Sequence, residues 1–182
     1  ADHWSGFPML IQMFHLLKRS APLTVLASAK TIKLLKNILE LSYLWFERLG
    51  FNIIWIELED NNQISIDGIS IIPHQNNHLA SYKPNIFRHP FCGIESYSFE
   101  IKSKSQGVYS GDIFNLDDID RFFDKPIDWL LIEAMHFNID DFSKWLKTKI
   151  ISKTIISHIP PERENIKLDN VLFANDGDKI ML

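Results

Sequence analysis

A chain of 182 residues, 46% hydrophobic and 23% charged, has the composition of an ordinary globular protein and is long enough to bury a sizeable core as one domain, 1–182. Its formal net charge of −4 argues against broad nonspecific binding to nucleic acid, while leaving a local basic patch open. Cys92 is the only cysteine, which excludes an intrachain disulfide and a cysteine zinc cluster and fits a reducing compartment such as the cytoplasm; no apolar run reaches the roughly 20 residues of a membrane helix.

The first element is FPMLIQMFHLLK, residues 7–18, with proline near its first turn and apolar residues on most faces, as in a largely buried helix. Residues 30–49 repeat Leu34, Leu35, Ile38, Leu41 and Trp45 at helical spacing, with Gly50 where a C-terminal cap belongs. The period then changes. FNIIWIEL (51–58), QISID (63–67) and ISIIP (69–73) are short and isoleucine-rich, as strands are, and Asp67-Gly68 reads as a hairpin turn between the last two. Residues 79–93 form a loop, IESYSFEIK (94–102) alternates in strand fashion, and QGVYS (106–110) is the next strand. Asn115 can cap a short helix through Phe123, with Asp117 and Asp118 favourable in its first turn. WLLIEA (129–134) is a continuous apolar run, as in a strand buried on both faces. A helix over 140–149 and strands over 153–157, 171–175 and 179–182 complete the chain. Strands followed by strand-helix-strand-helix-strand imply a layered α/β domain with helices outside.

Several histidines and carboxylates fall at strand ends, where layered α/β folds build sites: His78 after IIPHQNN, Asp112 after VYSG and His158 after TIIS. Asp2 and His3 precede the first helix. Imidazole and carboxylate are what zinc and similar metals take when cysteine is absent. Each position also has a plain structural reading. Asp2 and His3 could be a terminal tail, Asp112 a turn residue, and His78 and His158 hydrogen-bonded loop histidines. His15 reads as a core or boundary residue and His89 as solvated; His74 and His136 stay ambiguous.

In this order the residues resemble the metallo-β-lactamase fold hydrolases, most closely the branch of ribonuclease Z and related phosphodiesterases. DHWSGFPML (2–10) is similar to that superfamily's D-H-x-x-G-x-P-x-L, which ends its His-x-His-x-Asp-His loop and continues into a helix. PHQNNH (73–78) resembles the stretch ending in the lone histidine, which favours His78 over His74. VYSGD (108–112) is close to Y-S-G-D, SHIPPE (157–162) looks like the final histidine turn, and ANDGDKIML (174–182) is similar to the closing strand.

The resemblance implies an αββα sandwich incomplete at its N-terminus, with the first strands and the two His-x-His histidines lying upstream of Ala1. It implies a dinuclear site. His78 and Asp112 would hold what remains of the first position, and Asp2, His3, His158 and Asp112 the second, with Asp112 bridging. The ions would be two divalent metals, zinc by default, with manganese and iron accepting similar ligands. A metal-bound hydroxide would attack a phosphodiester or other ester, and Asp2 could take a proton from the attacking water. The branch's further histidine lies in a helix; here IEAMHFNID sets His136 near a strand end, where it either protonates a leaving group or is a packed strand-end residue. No basic insertion of the kind used to grip transfer RNA is visible. A small-molecule or nucleotide ester is therefore the expected substrate, with no membrane partner and with a homo-oligomer left open. The alternative is a binding or scaffolding protein that keeps this fold without catalysis.

Overall fold

A computed structural model describes residues 3–163 and 166–182. The chain divides into two compact units. The first comprises 1–58 and 85–93, the second 59–84 and 94–182.

In the first unit, helix α1 (Phe7–Leu16) is followed by strand β1 (Leu23–Ala27), helix α2 (Ala29–Leu41) and strand β2 (Ile53–Glu57). β1 and β2 pair in parallel, Leu23 opposite Ile53 through Ala27 opposite Glu57, so α2 is the crossover that a parallel pair requires. Hydrophobic periodicity carries no sign of β1, whose LTVLA run is short and flanked by no alternation. The Ser28 side chain, accepting from the Thr31 N–H, caps α2 immediately after it.

The helix expected over 30–49 stops at Leu41. Tyr43 takes a left-handed φ of 58°, its N–H bonds the Glu40 carbonyl, and the Leu44 N–H reaches back to the Leu39 carbonyl at 3.0 Å. That is a Schellman stop, completed by Leu44 packing on the cluster of Ile11, Leu39 and Phe51. α1 ends in the same way, with Lys18 at φ 54° and Arg19 bonding back to the Phe14 carbonyl. Neither stop uses glycine, so the expected cap at Gly50 is not where the helix ends.

The second unit is built on one seven-stranded sheet in the order β3-β4-β5-β6-β7-β8-β9. Its strands are β3 (Ile64–Ile66), β4 (Ile69–Gln75), β5 (Tyr97–Lys102), β6 (Gln106–Tyr109), β7 (Ile127–Glu133), β8 (Ile151–Ser157) and β9 (Val171–Phe173). β3 and β4 form the expected hairpin. Asp67 and Gly68 both have positive φ, 49° and 81°, as a type I′ turn demands. The sheet is antiparallel from β3 through β6 and parallel from β6 through β9. Helix α3 (Asp117–Asp120) enters through Asn115, whose Oδ1 accepts the Asp117 N–H, and α4 (Ile139–Leu146) is capped by Asn138.

β7 is buried along nearly its whole length, as its apolar run implies. Leu130, Ile132, Phe142 and Ile156, all at 0% exposure, form the centre of the core. The strand expected over 179–182 does not form. A turn in which Asn175 and Asp178 exchange hydrogen bonds directs the chain away after β9, and Lys153 donates to the Met181 carbonyl beyond it.

Candidate metal centre

β4 is antiparallel to β5, which is antiparallel to β6; β4 therefore runs with β6, β7 and β8. The C-terminal ends of these four strands share one edge of the sheet. His78 follows β4, Asp112 follows β6, His136 follows β7 and His158 follows β8. Strand direction alone thus gathers residues far apart in sequence, at the edge where open α/β sheets bind ligands.

Asp112 stands in the middle. One carboxylate oxygen, Oδ2, lies 3.9 Å from His78 Nε2, and the other, Oδ1, lies 3.3 Å from His158 Nδ1. The carboxylate is largely shielded, with 11% of the side chain exposed, whereas His158 is 42% exposed. His136 also joins the group: its ring sits edge-on to His78 at 4.7 Å between centroids and 6.1 Å from His158. One ligand atom from each of His78, Asp112 and His136 lies within 4.8 Å of the others. His158 itself has a φ of 49°, a backbone strain that a non-glycine residue bears only where surrounding structure enforces it.

A second set of side chains holds the loops in place. Asn76, buried, donates from Nδ2 to Ser98 Oγ at 3.1 Å and to the Asp112 carbonyl at 3.0 Å, while its Oδ1 accepts the His78 N–H. One amide therefore ties the His78 loop to the Asp112 loop. Ser98 passes the connection on, donating to the Ser110 carbonyl at 2.6 Å. Gly111 turns the chain with a φ of 56°, its Cα packed so close to Tyr97 that a Cβ would lie 2.6 Å from the Tyr97 carbonyl oxygen. Asp118 accepts from the Asn77 backbone and side chain and from the Phe114 N–H, bracing the other side of both loops.

Glu133, at the end of β7 and 2% exposed, is the most buried charge at the site. It accepts the N–H groups of Ile113 and His136 at 3.3 and 3.0 Å, the Met135 N–H, and His136 Nδ1 at 2.9 Å. Arg163 donates to the adjacent Ala134 carbonyl. Nearby, burial first and the Asp112 charge second push the Tyr109 phenol up from its ordinary value, so that it stays protonated.

Of the residues expected from sequence, His78, Asp112 and His158 meet at one edge. His3 lies in the first unit ahead of α1 and is exposed, and Asp2 lies outside the described residues. Asn76, Ser98 and Glu133 had no sequence signal beyond being polar residues in or next to strands, and Asp118, legible as a first-turn carboxylate of α3, gave no sign of its bonds to the two loops. The donor set suits a borderline divalent ion: imidazole nitrogens and a carboxylate, partly shielded and already convergent.

Compared with solved structures, the chain is similar to the metallo-β-lactamase fold protein YhfI from Bacillus subtilis, with a TM-score of 0.60 over 95% of this chain and 70% of that one, at 15% identity. The fold is that of the metallo-β-lactamases. Two further structures carry the same likeness. One is an isothiocyanate hydrolase from Delia radicum gut bacteria, with a TM-score of 0.59 at 16% identity over 97% of this chain and 72% of that one. The other is a possible metal-dependent hydrolase from Veillonella parvula, with a TM-score of 0.56 at 12% identity over 88% of this chain and 66% of that one. No protein-family model and no curated protein matches the chain. The metallo-β-lactamase fold accounts for the mixed seven-stranded sheet. Among the described residues no helix is long and apolar enough to cross a membrane.

Proposed function

We propose that the chain is a metal-dependent hydrolase of the metallo-β-lactamase fold, acting on a phosphodiester or other small ester. The observation that carries this reading is Asp112, which presents one carboxylate oxygen to His78 and the other to His158 at a single sheet edge. A carboxylate so placed can serve two positions at once, as the sequence resemblance implies for a bridging ligand. Two of the fold neighbours, an isothiocyanate hydrolase and a possible metal-dependent hydrolase, point to the same class of chemistry. The preference for phosphodiesters rests on the resemblance to the ribonuclease Z branch, while Y-S-G-D and D-H-x-x-G-x-P are motifs of the wider superfamily.

His78, Asp112 and His158 would hold divalent metal, zinc first, with Asp2 and His3 as the further ligands the resemblance implies. Bound there, the metal would supply a Lewis acid and a water acidified to near neutral pKa. The protein's own part is positional. Asn76 fixes the His78 loop to the Asp112 carbonyl, and Asp118 clamps the two loops from the other side. The ligands therefore need little reorganisation to receive a charged group.

The test is release of nitrophenolate from bis(4-nitrophenyl) phosphate and from 4-nitrophenyl acetate by the 182-residue chain supplied with zinc, manganese or iron. Turnover that needs metal, stops with chelator and falls at least roughly a hundredfold in Asp112→Asn supports the reading. Metal-loaded wild type that is no faster than Asp112→Asn on either ester overturns it.

A further inference from the structure

We propose that His136 is itself a metal ligand, completing a three-donor cation site with His78 and Asp112, and that buried Glu133 sets the ring nitrogen through which it binds. The inference rests on the hydrolase reading above but adds a ligand that the sequence resemblance does not assign. In that resemblance the corresponding region supplies a leaving-group acid.

The chain of reasons begins with Glu133. Its two oxygens take three backbone N–H groups, from Ile113, Met135 and His136, within the turn that leaves β7. A carboxylate held this way is an acceptor fixed in place. It also meets His136 Nδ1 at 2.9 Å, so Nδ1 must carry the proton and donate. In the neutral ring the lone pair is then on Nε2, the state in which histidine ligates metals. A carboxylate behind the ring is the arrangement that orients metal-bound histidines and raises their basicity.

Geometry supplies the rest. With Nδ1 engaged by Glu133, Nε2 is the nitrogen left for an ion. The ring meets His78 edge-on at 4.7 Å, and ligand atoms of His78, Asp112 and His136 converge within 4.8 Å. All three belong to the second unit and sit on loops leaving neighbouring parts of one sheet. The same Nε2 cannot both ligate an ion and carry the proton for a leaving group. The expected acid role for His136 and this ligand role are therefore exclusive.

The test is carbethoxylation of the full chain by diethyl pyrocarbonate, read residue by residue by mass spectrometry, with and without zinc. Zinc should slow modification of both His78 and His136 by about tenfold or more, since a coordinated ring nitrogen is not free to react. Zinc affinity, measured by competition with a chromophoric chelator, should fall roughly 10- to 100-fold in Glu133→Gln, since the amide can donate to Nδ1 and move the ring proton to Nε2. The cobalt-substituted protein should change its visible spectrum in His136→Gln. If zinc protects His78 while His136 reacts at its metal-free rate, the ligand assignment fails and the hydrolase reading stands. If zinc protects neither, both fail. The protection experiment uses the unaltered chain, so it stands even if a variant does not fold.

Discussion

Gly111→Ala would strike the turn that delivers Asp112, and its effect divides into two parts. Gly111 has a φ of 56°, in the left-handed region, where an alanine is disfavoured by about 1–2 kcal/mol. The added Cβ would also lie 2.6 Å from the Tyr97 carbonyl oxygen. That oxygen is backbone at the start of β5, and forcing a methyl against it costs a further ~1–3 kcal/mol. Together these give a loss of about 2–5 kcal/mol, or roughly 4–20 °C in melting temperature for a chain this size. Gly68→Ala separates the two contributions. Gly68 has a φ of 81° but nothing within 4 Å of where an added methyl would sit, so only the conformational part, about 1–2 kcal/mol, applies. Urea unfolding of the two variants and wild type, followed by tryptophan fluorescence, measures the difference. If Gly111→Ala is no more destabilised than Gly68→Ala, the close approach of Tyr97 does not constrain the turn and the reasoning is refuted.

Phe142 is fully buried, with its ring 5.0 Å from Phe137 and 5.8 Å from Trp145, so Phe142→Ala should lower stability by about 3–5 kcal/mol in the same unfolding assay. His74 gives a pH prediction. Its ring nitrogens are buried without a hydrogen-bond partner, its edge meets Phe122 at 4.8 Å, and burial, with the Arg121 charge second, lowers its pKa from the ordinary 6.5. The unfolded chain takes up a proton as pH falls through 6.5 while the folded chain does not, so this histidine removes stability on acidification. His74→Leu should therefore lose less stability than wild type between about pH 7.5 and pH 5.5. Parallel stability curves for the two would contradict that account.

The resemblance singles out His78, Asp112 and His158, because Y-S-G-D and the histidine-bearing turns each occupy a strand end. These three do meet at one sheet edge. What was not readable depends on folding at a distance. Glu133 and His136 are three residues apart, a spacing that pairs side chains on a helix, but here they pair because the chain leaves β7 in a turn closed on the Glu133 carboxylate. Asn76 joins two loops through contacts with Ser98 and Asp112, and nothing in PHQNNH distinguishes it from its neighbour Asn77. Among the elements, the helical period of 30–41 was clear, but its end was set by Tyr43 in a conformation usually left to glycine. β1 leaves no sequence signal, because its five residues in a two-stranded parallel pair carry no alternation. KIML reads as a strand on composition, yet forms no ladder after the turn at Asn175–Asp178.

The central claim is that the edge formed by the ends of β4, β6, β7 and β8 is a metal centre organised by Asp112. The most direct measurement is metal content by plasma mass spectrometry on the 182-residue chain, purified without chelator, beside Asp112→Asn. The account predicts stoichiometric divalent metal, about one ion or more per chain, in the wild type and its loss in the variant. A wild-type chain free of metal, or an Asp112→Asn chain that keeps its full complement, would contradict it.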